Sequence, residues 1–448
     1  MNRAMVAMFS ILPALATCGD DVRKDQSAAP VSGSRLKLEW YFYGDGSREP
    51  NPEAFYDTLI HSRCTPRRWS DGEQRCAPAA DEAVYTNAAC DELVGRSDVI
   101  SKPAFFLGYD QIAGERLPAR LYYAGPMTTA PTQIYQRVDG VCVGPSFTPS
   151  DAMYFELNGE TQAQGVVALR DRDVDADDRL VLQLRETDDG LYLPLGLRDR
   201  TLDVACRAHN RTTGAVCEPT GVATAFHYAD PDCEVPALGV LLTQPAPPIA
   251  ASADAEGCTE LRPIGEGIPL LYARVGASCQ VVAGSQFRGY ALGAPIALAA
   301  VERTVVKDRA HRLQQIVISA GSERLLDDRL YDTATRLDCR RATFDDAVRC
   351  VPDVTIQVTT LYAQGCTLPV LVAELPERSC TPIGFATSFS DEGVLQLRAI
   401  GERLATPLYS LFTGACAPYA APQGKVVRTV GPPIPTETFV GGHAAGER

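Results

Sequence analysis

FYDTLIHSRCTPRRWSDGEQRC, residues 55–76, decides how this chain of 448 residues is organised. The pattern returns as LRDRTLDVACRAHNRTTGAVC at 197–217 and as LYDTATRLDCRRATFDDAVRC at 330–350. Each time an Asp (Asp57, Asp199, Asp332) stands seven residues before a Cys (Cys64, Cys206, Cys339). A second Cys (Cys76, Cys217, Cys350) follows eleven or twelve residues later, with a Pro two residues beyond it. A repeat of this length is the first thing that fixes an architecture.

Each unit is led by an Arg-Leu pair: Arg35-Leu36, Arg179-Leu180 and Arg312-Leu313. After the first pair, Leu36, Leu38, Trp40 and Phe42 alternate with Lys37, Glu39, Tyr41 and Tyr43, the period of a half-buried strand. Downstream come paired Tyr and Cys residues: Tyr85 with Cys90 and Tyr135 with Cys142, then Tyr228 with Cys233 and Tyr272 with Cys279, then Tyr362 with Cys366 and Tyr409 with Cys416. The chain thus divides into copies at 35–178, 179–311 and 312–448. Turn-forming Gly, Pro, Asn and Asp recur throughout, and no stretch keeps a helical apolar period over three turns, so the expected class is all-β. A copy is about twice the length of a propeller blade, which predicts a closed β-propeller-like ring of about six blades. The alternative is three tandem β-sandwich modules, although no composition shift marks a linker near 179 or 312.

The formal charge of −14 excludes the basic footprint that a nucleic-acid partner requires. Fifteen cysteines at regular spacing read as disulfides of an oxidising compartment. The first copy has Cys64, Cys76, Cys90 and Cys142; the second has Cys206, Cys217, Cys233, Cys258 and Cys279; the third has Cys339, Cys350, Cys366, Cys380 and Cys416. The first copy lacks the fourth position, so the simplest scheme pairs the other four within each copy. Cys258 and Cys380 then pair across copies or stay free. Sequence alone leaves the connectivity open. The Ser70-Asp71-Gly72 turn favours first with second. A metal reading is poor, because there is no C-x2-C spacing.

The N-terminus supplies a route of export. Asn2-Arg3 form a short basic region, and Ala4 to Leu15 form an apolar run too short to span a bilayer. Leu15-Ala16-Thr17-Cys18 resembles the lipobox of bacterial lipoproteins, which implies that residues 1–18 end at a lipidated Cys18. The alternative is ordinary cleavage at Ala14-Leu15-Ala16, giving a secreted protein. Residues 19–34, polar and rich in small residues, read as a flexible tether. The expected location is the cell envelope, lipid-anchored in the periplasm or at the surface.

Asp171-Arg172-Asp173-Val174-Asp175-Ala176-Asp177-Asp178 resembles the D-x-D-x-D calcium loops. The resemblance implies Asp171, Asp173, Asp175 and Asp177 as oxygen ligands, with calcium as the one cofactor considered. Ala176 stands where such loops carry Gly, and the alternative is a solvated acidic connector. Asp57, Asp199 and Asp332 read first as turn residues that satisfy backbone N–H groups. The recurrent tyrosines read as core aromatics, with a sugar-binding surface as the alternative. The five histidines fall in no hydrolase motif. The body resembles cysteine-rich repeats of exported bacterial proteins, a resemblance that brings no activity with it. The sequence therefore points to a binding or scaffolding protein with an unknown protein or glycan ligand. Its membrane contact is expected through the lipid alone. The alternative is a hydrolase acting on glycans or phosphodiesters in a central channel.

Overall fold

The computed structural model describes residues 29–446 apart from 99–101, 150, 212–213, 226, 254–258, 276–277, 283–285, 345–346, 354–355, 377–382, 391–394, 413–414, 420 and 422–424. Cys18, Cys258 and Cys380 lie outside the described residues. The fold is all-β, with several sheets and none of them a closed barrel. Among the described residues the only helical pieces are the 3-10 turns Ala163–Gly165 and Thr436–Thr438. No helix there is long and apolar enough to cross a membrane.

One sheet of 16 strands draws on all three copies. The first copy gives it the antiparallel meander Leu36–Tyr43, Arg48–Asp57, Ser62–Arg68 and Gln74–Pro78. The second gives Leu180–Glu186, Tyr192–Asp199, Val204–Arg211 and Gly214–Pro219. The third gives Leu313–Ala320, Glu323–Asp332, Leu337–Phe344 and Ala347–Pro352. Alternation in the sequence sets which face is buried: Leu36 and Leu38, Leu180 and Leu182, and Leu313 and Ile318 are all 2 % exposed or less.

Three segments pass the hydrogen bonding from copy to copy. Ala168–Asp175 pairs first with Gln74–Pro78 and then with Leu180–Glu186. Gly441–Gly446 pairs first with Ala347–Pro352 and then with Leu36–Tyr43. The two end strands of the sheet, Ala299–Ala300 and Glu302–Val305, adjoin in sequence. The first pairs with Gly214–Pro219 and the second with Leu313–Ala320, and Val301 N between them donates to Ala215 O at 3.0 Å.

The hairpin tips complete a second cycle of contacts. Asp189, at the tip of the second copy, accepts from Arg35 N at 2.6 Å and Leu36 N at 2.7 Å with Oδ2. Asp45, at the tip of the first, accepts from Leu313 N at 2.7 Å. Ser322 N, at the tip of the third, donates to Ala176 O at 3.3 Å. Gly321 makes that last approach possible: its φ is +54°, and a Cβ there would lie 1.9 Å from Ala176 O. The cores fuse in the same way, with Leu180, Leu182 and Leu197 of the second copy packed in one cluster with Ile316, Ile318 and Leu325 of the third.

The remaining strands form three smaller sheets of seven, eight and seven strands, one appended to each meander. Among the described residues the strands therefore do not group into six four-stranded blades. Meander edges pair with the next copy instead of ending a blade. Three tandem sandwiches do not describe the fold either, because one sheet and one core cluster are shared between copies.

Candidate functional site

The residues that recur in all three copies hold the fold. Asp57, Asp199 and Asp332 are at most 1 % exposed. Each takes the guanidinium that opens its own copy. Arg35 Nε and Nη2 donate to Asp57 at 2.8 and 2.7 Å, Arg312 Nε and Nη2 to Asp332 at 2.8 and 2.6 Å, and Arg179 Nε to Asp199 at 2.7 Å. Each Oδ1 also accepts the N–H two residues on, from Leu59, Thr201 and Ala334 at 2.9, 3.0 and 2.9 Å. This is the turn chemistry read from the sequence, with a buried ion pair added.

Six disulfides join the described cysteines. Cys64–Cys76, Cys206–Cys217 and Cys339–Cys350 each link neighbouring meander strands inside a core cluster. Cys90–Cys142, Cys233–Cys279 and Cys366–Cys416 close loops of 52, 46 and 50 residues in the appended sheets. Loop-closure entropy assigns about 3 kcal/mol to each short bridge and about 4 kcal/mol to each long one. The recurrent tyrosines stand opposite one another beside the long bridges: Tyr85 across from Tyr135, Tyr228 from Tyr272, Tyr362 from Tyr409. Arg137 lies 5.3 Å from the Tyr85 ring and donates to Cys90 O at 2.9 Å; Arg274 repeats this on Tyr228 and Cys233 O at 5.7 and 3.0 Å. These tyrosines are parts of a clasp. So many disulfides point to an oxidising extracellular or envelope location.

The acidic run at 171–178 forms no cage. Asp171, Asp173 and Asp175 lie on the strand Ala168–Asp175, so successive carboxylates stand about 7 Å apart on one face. An arginine meets each one: Arg185 grips Asp171 twice at 2.7 Å, Arg198 meets Asp173 at 2.7 Å, and Arg200 pairs with Asp175. Asp177 accepts from Arg179 N and Leu180 N at 2.7 and 2.6 Å. Calcium needs six to eight oxygens at roughly 2.3–2.6 Å. Among the described residues no group of three or more His, Cys, Asp or Glu is arranged to hold a metal ion. Calorimetry with millimolar calcium should therefore register no saturable heat, and binding that Asp173→Ala removes would overturn this.

The three meanders converge elsewhere, on a cavity of about 400 Å³. Each second meander strand carries a bulge at the same place. The register slips between Leu38 and Glu39 opposite 51–55, between Gln183 and Leu184 opposite 194–196, and between Gln315 and Val317 opposite 326–330. A bulge re-aims side chains, and these three aim equivalent positions at one space. Counted back from the recurrent Asp, the pairs are Pro52-Glu53, Pro194-Leu195 and Asp327-Asp328, and all six residues line the cavity.

Charges cross the copies here. Arg207 Nη2 of the second copy meets Asp328 Oδ2 of the third at 2.5 Å. Arg341 Nη1 of the third meets Glu49 Oε1 of the first at 2.6 Å, with its guanidinium 3.8 Å from the Tyr41 ring centroid. Arg329, 4 % exposed, holds Asp327 through Nε and Nη2 at 3.0 and 2.7 Å. Glu49 is 6 % exposed, its Oε2 is shut off from solvent, and the buried Tyr43 hydroxyl lies against its carboxylate. Burial raises the Glu49 carboxyl above the usual carboxylate range against the pull of Arg341, and the nearby charge of Asp328 adds to the rise. Partial burial, with Asp327 alongside, pushes Asp328 up to about 6. A second cavity of about 360 Å³ shares Arg207 with the first and holds His209 3.9 Å from Glu218. Burial pushes the His209 imidazole down.

Sequence reading missed Glu49, Glu53, Arg207, Asp327, Asp328 and Arg341. The signal available was the aligned copies themselves: four and five residues before the constant Asp, the copies disagree in chemistry.

No curated protein and no solved structure matches the chain. The model of a family of unknown function, DUF7481, matches residues 11–439, and the chain belongs to that family.

Proposed function

We propose that this is an exported binding protein, held at the cell envelope through a lipid on Cys18, whose ligand occupies the central cavity. The observation that carries the reading is the contrast between two sets of equivalent positions. The positions that hold each copy together are the same in all three: Asp57, Asp199 and Asp332 with their arginines and cystines. The positions aimed at the cavity differ: Glu53, Leu195 and Asp328. A fold needing only three equal supports has no use for that asymmetry, whereas a site for an asymmetric small molecule does. The volume of about 400 Å³ falls within the usual range for small-ligand sites.

Screening by protein-observed NMR with small saccharides, amino acids, amines and phosphodiesters should return ligands that Leu195→Trp displaces. Equal binding by Leu195→Trp would overturn the site. A second reading, hydrolysis of glycans or phosphodiesters, is favoured by one observation: Asp328, at about 6, shares the cavity with Glu49. A carboxyl that holds its proton into the neutral range, with a second carboxyl lining the same cavity, is what such chemistry requires. Its general acid works protonated, so turnover of chromogenic substrates would fall as pH rises through about 6 and would vanish in Asp328→Asn. The binding reading expects no turnover at any pH.

A further inference from the structure

The three long disulfides are equivalent in the copies but not equally sheltered. Each ties an inner cysteine in the left-handed region (Cys90, Cys233 or Cys366, with φ of 52°, 56° and 67°) to a cysteine on the outermost strand of its appended sheet. Those strands are Val141–Ser146, Ser278–Val281 and Ala415–Tyr419. An edge strand leaves one flank open, so what covers its cysteine decides whether a reagent reaches the sulfur. In the first two copies the inner cysteine is shut away: Cys90 is 1 % exposed and Cys233 2 %. Their edge partners, Cys142 and Cys279, are half-buried. In the third copy the inner Cys366 is half-buried and Cys416 is exposed. The cysteines of the short bridges are 6 % exposed at most.

Local differences in sequence account for this. Directly across from the edge cysteine stands Arg137 in the first copy, Arg274 in the second and Leu411 in the third. Both arginines fold back over the clasp, onto the tyrosine ring and the carbonyl of the inner cysteine. Leu411 can donate to neither, and it is 44 % exposed. The turn before the inner cysteine is also shorter in the third copy. Cys90 and Cys233 come five residues after their tyrosines, and Cys366 comes four after Tyr362. The first two turns are fastened by a side chain: Asn87 Oδ1 accepts from Asp91 N at 3.3 Å, and Asp230 Oδ2 from Val235 N at 2.6 Å. The third turn is Ala363-Gln364-Gly365, with no Asn or Asp. Among the described residues, the hairpin carrying Cys416 meets the rest of its sheet at one residue pair, Tyr409 opposite Tyr362. Little backbone bonding therefore resists its local opening.

We infer that Cys366–Cys416 is a thiol–disulfide exchange site, the bridge at which this protein reacts with an external thiol while the other five described bridges stay closed. The external thiolate attacks Cys416 Sγ, the sulfur that solvent reaches. A new S–S bond joins the external sulfur to Cys416 as the bond to Cys366 breaks. Cys366 leaves as a thiolate and takes a proton from water. A second external thiolate then attacks the external sulfur of the mixed disulfide, and Cys416 is released as a thiolate. Two electrons thus pass from two thiols to one cystine, and the thiols depart as their own disulfide. The hairpin keeps Tyr409 opposite Tyr362 and the Tyr419 hydroxyl donating to Glu374 Oε1 at 2.5 Å. The buried meander bridges are untouched, so reduction here is a local event.

Reduced glutathione added to the full-length oxidised protein without denaturant tests this, followed by timed alkylation and peptide mapping. Alkylated Cys366 and Cys416 should appear about tenfold or more faster than the cysteines of the two other long bridges. In acid-quenched samples the glutathione adduct should sit on Cys416. Leu411→Arg supplies the residue found in the other copies and should slow the reaction. Arg137→Leu should speed reduction of Cys90–Cys142. Equal rates at the three long bridges, or faster reaction at Cys90–Cys142 or Cys233–Cys279 in the unmodified chain, overturns the inference. So does a glutathione adduct carried on Cys366 instead of Cys416.

Discussion

Deletion of residues 312–448 is expected to give an aggregating remnant rather than a smaller soluble protein. The third copy is an integral part of the large sheet. Its loss removes Ile316, Ile318, Ala320 and Leu325 from the cluster that covers Leu180, Leu182 and Leu197. It also removes Gly441–Gly446, which pairs with the outer edge of Leu36–Tyr43 from Glu39 to Tyr43. Glu302–Val305 loses its partner strand at the same time. Each large apolar side chain returned to water costs about 1.5–3 kcal/mol, and a whole domain is stable by only about 5–15 kcal/mol. Leu180, Leu182 and Leu197 are uncovered, together about 4.5–9 kcal/mol, so the loss is comparable to the whole stability. The two raw edges then offer unpaired N–H and C=O groups to other chains. Size-exclusion chromatography and thermal melting of a chain ending at His311 provide the check. A monomer that melts cooperatively at the full-length temperature would show that the copies stand alone.

Asp332→Ala should lower stability by about 3 kcal/mol or more in urea unfolding, the cost of leaving a partly buried cation and a backbone N–H without their partner. Asp332 is 1 % exposed and accepts from Arg312 twice, at 2.8 and 2.6 Å, and from Ala334 N at 2.9 Å. After the substitution Arg312 keeps only its bond to Thr438 O at 3.0 Å. Asp332→Asn retains one acceptor and should lose less. Asp57→Ala and Asp199→Ala should cost similar amounts, because the same pair recurs at 2.7 Å in each copy. A cost below about 1 kcal/mol at all three would place these aspartates among ordinary surface pairs. A selective loss of ligand binding with stability unchanged would instead make them part of a site.

The sequence carried what is local. Alternation at Leu36, Leu38 and Trp40 marks the buried face of a strand, because successive side chains of a strand point to opposite sides. The equal spacing of Asp57, Asp199 and Asp332 from their cysteines marks three equal meanders. The arginines at 35, 179 and 312 stood equally plain, yet their pairing with those aspartates was not legible, since the partners lie 20 to 22 residues apart, one just before the first meander strand and the other at the end of the second. The acidic run at 171–178 shows a different ambiguity. Carboxylates at every second position suit a calcium loop and one face of a strand equally well. The opposing Arg185, Arg198 and Arg200 that decide for the strand come from the neighbouring part of the meander.

The sequence by itself determined the all-β class, the three copies and the turn role of the recurrent aspartates. Only the tertiary structure decided that the meanders share one sheet and that Glu49, Leu195 and Asp328 face a common cavity. The physical reason is that side-chain period reports the face of a strand, while the neighbour of a strand is set by edges that meet across distant parts of the chain. Bulges of one to three extra residues then interrupt the pairing where the copies converge, so the alternating pattern does not tell which side chains there meet in the cavity.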